Sequence, residues 1–259
     1  MMLSMNSSGH NPFEPAPQPV ALPDVTAPES RGLPAGRGLE WLRQGWQCFL
    51  AAPGLWIVIT VIWTVVLVAL NVVPLFGTIA ATLLAMVTLG GIMQGCQALS
   101  RGEPLALSHL WAGFGERVNP LLALGGWYLG AMVAVTLFVL LLSAIVAGLA
   151  GLAAFAALLV VSAATSLLLV IAVMLMAPVL MAVWFAPALV MFHRMTAIEA
   201  MRVSFYACLR NAPAFLVFAL IYIVLVVLAS IPAMLGWLVL LPVTFGAIYA
   251  SYRDVFRHD

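Results

Sequence analysis

Three stretches of this chain contain no Asp, Glu, Lys or Arg: Leu55–Ser100 (46 residues), Val118–His193 (76 residues) and Asn211–Tyr252 (42 residues). A soluble domain carries about 25% charged residues because its surface faces water, whereas this chain carries 7% and keeps them between the runs. About 20 apolar residues cross a hydrocarbon core. Leu55–Val73 alone holds thirteen Leu, Ile or Val residues, which at about 0.3–0.6 kcal/mol each favour insertion by roughly 4–8 kcal/mol. A helix this apolar has no face to show to water. The runs therefore predict an all-α, polytopic transmembrane helical bundle.

The arginines orient it. All ten basic residues are Arg, and they fall before, between and after the runs. The positive-inside rule puts all four charged segments in the cytoplasm, so each run leaves and returns. Pro and Gly punctuate the runs at Asn71–Gly77, near Gly148–Gly151 and at Ser230–Gly236, where short turns are expected. The result is six spans as three hairpins, at about 55–99, 121–177 and 214–252, within a transmembrane domain spanning 35–259. The middle run exceeds two standard spans. Helices at Leu121–Val146 and Leu152–Ala177 leave 178–193 over, where Pro178 and Pro187 should each kink or interrupt a helix. Ahead of the runs, residues 1–34 form a tail rich in Pro, Ser and Asn, which buries too little apolar surface to offset its ordering entropy and is expected to be disordered. The first apolar stretch begins near Leu55, so no signal peptide is expected.

A threefold pattern precedes the hairpins. Leu39–Phe49 is followed by Pro53, Leu107–Phe114 by Pro120, and Ile198–Cys208 by Pro213. Each places a small residue before an aromatic (Gly45-Trp46, Gly113-Phe114, Ser204-Phe205), and a proline 7, 6 or 8 residues after it. In the third copy, Thr196 and Glu199 have capping-box spacing, and Glu199, Arg202, Tyr206 and Arg210 form one polar stripe. Such a helix lies in the membrane interface with its stripe toward the cytoplasm. Each hairpin is thus expected to follow a short interfacial helix. Trp41, Trp46, Trp56, Trp111 and Trp127 flank span ends, as an aromatic belt would.

Two motifs carry a resemblance. Gly36-x-Gly38-x-x-Trp41-x-x-x-Gly45-Trp46-x-x-Phe49-x-x-x-Pro53 and the ending Tyr249-Ala-Ser-Tyr252-Arg253-Asp254-Val-Phe256 resemble an uncharacterised family of proteobacterial six-helix integral membrane proteins, from Gly36 onward. More distantly, Phe185–Ser204 is similar to the membrane domain of bacterial glycerophosphodiester phosphodiesterases. The catalytic domain of those enzymes has no counterpart here, so the resemblance implies a fold and no activity.

Composition narrows the chemistry. Hydrolases, proton-coupled carriers and voltage sensors of the membrane need ionisable groups at depth, and the runs contain no acid, Lys or Arg. His10, His109, His193 and His258 lie in tails, loops or run boundaries, without metal-ligand spacing. No catalytic residue, metal or cofactor is expected, nor is nucleic-acid binding at a net charge of +1. Cys48, Cys96 and Cys208 lack CxxC spacing and are expected as free thiols on the cytoplasmic side. Arg43, Arg202 and Arg210 are the candidate contacts to anionic lipid headgroups or to partners. The function expected is a non-enzymatic inner-membrane scaffold or assembly factor. Its partners would be membrane lipids, other membrane or cytoplasmic proteins, or further copies of itself. The alternative is a lipid-handling protein or uncoupled small-solute transporter.

Overall fold

A computed structural model describes residues 28–151 and 157–256; most of the Pro-rich tail lies outside them. All regular elements among the described residues are helical, in the order α1 (Arg37–Ala51), α2 (Pro53–Asn71), α3 (Phe76–Ser100), a 3-10 helix (Leu107–Phe114), α4 (Val118–Gly151), α5 (Ala157–Trp184), α6 (Ala186–Phe192), α7 (Ala197–Arg210), α8 (Ala212–Ser230) and α9 (Trp237–Phe256). Five helices are long and apolar enough to cross a membrane: α2, α3, α4, the stretch from Thr165 through α6, and α8.

Local chemistry explains the boundaries. Pro53 and Pro213 sit in the first turn of α2 and α8, where a missing N–H costs nothing and the fixed φ suits a helix. Thr196 and Glu199 close the expected capping box on α7, the Thr196 hydroxyl accepting from the Glu199 N–H at 3.4 Å. Asn211 caps the end of α7. Val72–Leu75 and Ile231–Gly236 turn as their Pro and Gly content implies. Both turns are tight: Leu75, Ala233 and Met234 adopt positive φ, a region side-chain-bearing residues rarely enter. Across the first turn, Thr78 donates its hydroxyl to the Asn71 side chain at 3.2 Å.

The middle run departs from expectation. α4 continues through Gly148–Gly151, and α5 runs on past Ala177 with Pro178 inside it. Nothing charged stops either helix, and in apolar surroundings neighbouring groups re-satisfy the carbonyl that an internal proline frees. The break comes at Phe185 instead, where Pro187 opens the short α6. At 34 residues α4 is about 51 Å long, well beyond a hydrocarbon core of about 30 Å.

The core is off-centre. Buried side chains gather in the second half of α3, the first turns of α2 and α8, the first five residues of α6 and most of α9, together with the inner faces of α1 and α7. That is the end at which the charged residues lie. Toward the opposite end, α2, α4, α5 and α8 present exposed Leu, Val, Ile and Phe.

α1 crosses α9 at backbone contact: a Cβ on Gly45 would lie 2.3 Å from the Val243 carbonyl oxygen. Gly91 and Gly95 also pack closely, against the 3-10 helix, whereas Gly126 and Gly130 have open space beside them. Gly45→Ala should therefore force α1 from α9 and cost about 1–3 kcal/mol. Gly126→Ala should be neutral or slightly stabilising. Thermal unfolding of the two variants in detergent checks this, and equal midpoints would contradict the close crossing.

Candidate functional site at the charged end

Asp254, in the last turn of α9, is 8% exposed. It lies past the apolar run and receives charge-assisted bonds from three directions. Arg31 donates to Oδ1 at 2.9 Å, Arg37 to Oδ2 at 2.7 Å, and the fully buried Trp41 indole to Oδ2 at 3.0 Å. Arg31 also donates through Nε to the Asp254 carbonyl and through its backbone N–H to the Val255 carbonyl. Burial raises the cost of ionising Asp254, but the hydrogen bonds from Arg37, Trp41 and Arg31 and the charge of Arg37 outweigh it. The carboxyl is held below its ordinary pKa.

Asn211 completes the clamp. Buried between α7 and α8, it accepts from the Leu33 N–H at 2.8 Å and donates to the Arg31 carbonyl at 3.0 Å. Residues 30–33, which belong to the segment expected to be a disordered tail, are thus tied to α9 on one side and to the α7–α8 junction on the other. Beside them, Ser204 of α7 takes up the break between α5 and α6. Its hydroxyl accepts from the Phe185 N–H at 2.9 Å and donates to the Met181 carbonyl at 2.7 Å. His193 and Tyr252 are joined at 2.8 Å.

The three candidate arginines are not brought together. Arg43 pairs with Glu40 at 3.7 Å, one turn away on α1, with 68% of its side chain exposed. Arg210 donates to the Ser30 carbonyl. Arg202 lines a cavity of about 480 Å³ with Pro28, Ser30, Arg194, Glu199 and Tyr206. The α7 stripe is exposed as expected, while Ala200, Ser204 and Ala207 face inward. Thr196 hydrogen bonds hold the Glu199 carboxyl below its ordinary pKa.

Two of the five tryptophans assigned to the aromatic belt are instead core residues. Trp41 and Trp56 are fully buried because their indole N–H groups have internal acceptors, Asp254 and the Cys48 carbonyl. Trp46, Trp111 and Trp127 are exposed. All three cysteines are free. A hydrogen bond from Cys96 lowers the Cys48 pKa despite burial, whereas burial pushes the Cys208 thiol up.

Spacing gave no route to the Asp254 cluster, since its members are more than 210 residues apart. The available signal was that Trp41 and Asp254 each fall in one of the two motifs behind the family resemblance.

Asp254→Asn should leave Arg31 and Arg37 half-buried without a counter-charge. With those side chains 43% and 36% exposed, the expected loss is about 1–3 kcal/mol. A lowered folded pKa means Asp254 contributes fully above its unfolded value of about 3.9 and less as pH falls through the folded one. Denaturation followed from pH 7 to pH 3 should show the wild type converging on the variant at the acid end. A constant gap would contradict the ion cluster.

A probable inner membrane protein of Burkholderia thailandensis is 29% identical over 248 residues, covering 86% of this chain and 92% of its own length. No family model and no solved structure matches the chain. None of these comparisons supports the distant likeness of Phe185–Ser204 to a phosphodiesterase membrane domain. With five membrane-length apolar helices and this relative, the chain is a bacterial multi-pass membrane protein.

Proposed function

We propose that the chain is a six-span inner-membrane protein with both termini in the cytoplasm, acting as a non-enzymatic scaffold or assembly factor. The observation that carries this reading is the asymmetry of the bundle: core, charges and short helices gather at one end, and the rest of the exterior is apolar. The sixth span is α9. From Trp237 to Tyr252 it rises about 24 Å, with Asp254 beyond the span, and it tolerates more polar residues than the others because protein, not lipid, surrounds it. Pairing of α2 with α3, α4 with α5 and α8 with α9 makes three hairpins. α1, the 3-10 helix and α7 precede them as interfacial helices, on one transmembrane domain that follows the N-terminal tail.

Partners dock on the cytoplasmic end, where the exposed stripe of α7 carries Arg202, Tyr206 and Arg210 and the exposed face of α1 carries Arg43 and Trp46. These arginines also meet anionic headgroups, at about 1 kcal/mol each near the surface. A second reading, lipid handling, is favoured by the open end. There a gap of about 680 Å³ separates α2 from α9, lined by Trp63, Leu67, Val68, Trp237 and Leu241. Acyl chains would fill it. Reconstituted protein that moves labelled phospholipid no faster than empty vesicles would remove that reading.

Two outcomes test the main one. In cells, Val73→Cys and Met234→Cys should react with a membrane-impermeant maleimide from the periplasm, while a C-terminal reporter works only in the cytoplasm. Unlabelled turns or a periplasmic C-terminus would contradict the topology. Charge removal at Arg202 and Arg210, with membrane levels held constant, should lower cross-linked partner recovery severalfold. Unchanged recovery would count against this docking surface.

A further inference from the structure

A positive charge is left over beside the Asp254 cluster. Arg253, in the last turn of α9, is half-buried, and its nearest polar partner is the Gln44 side-chain oxygen at 3.3 Å. No carboxylate among the described residues pairs with it: Asp254 is taken by Arg31 and Arg37, and Glu40 by Arg43. The C-terminus of α9 offsets at most about half an elementary charge. Partly desolvated arginines ordinarily have a counter-charge, because an unpaired one is costly.

Arg253 lines a cavity of about 250 Å³ between α1, α3 and α9, together with Gln44, Gln47, Cys48, Ser100 and Tyr249. Ser100 donates its hydroxyl to the Gln97 carbonyl at 2.7 Å, so the Tyr249 hydroxyl at 3.1 Å must donate to Ser100. The Gln44 amide donates to Glu40 at 3.2 Å. Toward a guest the wall offers the other guanidinium N–H groups and the Gln47 amide N–H groups as donors, beside acceptor oxygens on Gln47 and Tyr249, and its one formal charge is that of Arg253. An occupant must therefore bring acceptors and negative charge. The volume falls below the about 300–1,000 Å³ of pockets for drug-sized molecules and suits a single compact anionic group.

We propose that this cavity binds a phosphate-bearing anion, with Arg253 as its cationic anchor and Gln47 as a second donor. Guanidinium geometry matches phosphate oxygens in a bidentate manner. The anion is either the headgroup of a phospholipid entering from the inner leaflet, past the exposed Gln47 and Ala51 of α1, or free phosphate from the cytoplasm. This site is separate from the docking stripe on α7; its placement at the cytoplasmic face rests on the topology proposed above, and a nanodisc, open on both faces, reads occupancy whichever face the cavity lies on.

Cys48 reports on occupancy, because it lines the cavity and is the one half-buried thiol, Cys96 and Cys208 being buried. Full-length protein in phosphatidylcholine nanodiscs is alkylated with a small maleimide, and Cys48 modification is followed by peptide mass spectrometry. Phosphatidylglycerol in the nanodisc, or inorganic phosphate in the buffer, should slow it saturably by about fivefold or more, and the arm that does so names the source. R253Q should weaken the protecting ligand by at least about tenfold. Q44E, which sets an internal carboxylate beside Arg253, should abolish protection while the protein stays folded, and so keeps the test valid if R253Q does not fold. Protection by neither probe, or equal protection in wild type and Q44E, would overturn the proposal.

Discussion

The carboxylate of Asp254 is where the two ends of the chain meet. Taking it out of water is expensive, and the cost is offset because three donors from the N-terminal side converge on its two oxygens. Their convergence fixes the rest. Arg31 brings residues 30–33 onto α9, where Asn211 holds them from the other side. Arg37 and Trp41, on successive turns of α1, lay that helix along α9 until Gly45 and Gly246 touch. With α1 in place, α9 is enclosed by α1, α2, α3 and α8 and becomes the axis of the bundle.

Tight packing at one end and open helices at the other follow from the solvent on each side. Between helices in lipid there is no hydrophobic driving force, since acyl chains are as apolar as leucine. Association there needs close backbone approach or hydrogen bonds. Both are concentrated near the charged end, in the Gly45 crossing, the Gly91 contact with the 3-10 helix, and the Ser204 and Asn211 bonds. Beyond it, α4 and α5 offer each other Val, Leu and Met at positions equally content with lipid. The space between α2 and α9 is a consequence of sequence chemistry of this kind, not of a missing side chain.

What could be read in advance was local. Uncharged runs, the turns at Pro74 and Gly236, the Thr196–Glu199 cap and the three short helices before Pro53, Pro120 and Pro213 each rest on residues within a few positions of one another. Pro178 does not interrupt α5 because its effect depends on surroundings: among apolar neighbours the carbonyl it frees is re-satisfied and the helix continues through it. Trp41 and Trp56 misled for a related reason. An indole near a span end sits equally well in an interface or in a core, and an acceptor more than 200 residues away decides between them for Trp41. Of the candidate site, the exposed α7 stripe was legible from its spacing, whereas the Asp254 cluster and the cavity beside Arg253 exist only once α1 and α9 are side by side.

The same reasoning explains why the least apolar of the long helices is the central one. Four polar side chains of α9 each find a partner on another element: Thr244 with Tyr222, Tyr249 with Ser100, Ser251 with Trp184, and Tyr252 with His193. Facing lipid, the Tyr249 and Tyr252 hydroxyls would lose these partners and destabilise a spanning helix, whereas Thr244 and Ser251 donate to carbonyls of α9 itself; between helices all four supply the specific contacts that apolar side chains cannot. Low hydropathy in α9 is therefore what places it at the axis. A window that ranks helices by apolarity alone passes over a helix held between α1, α2, α3 and α8.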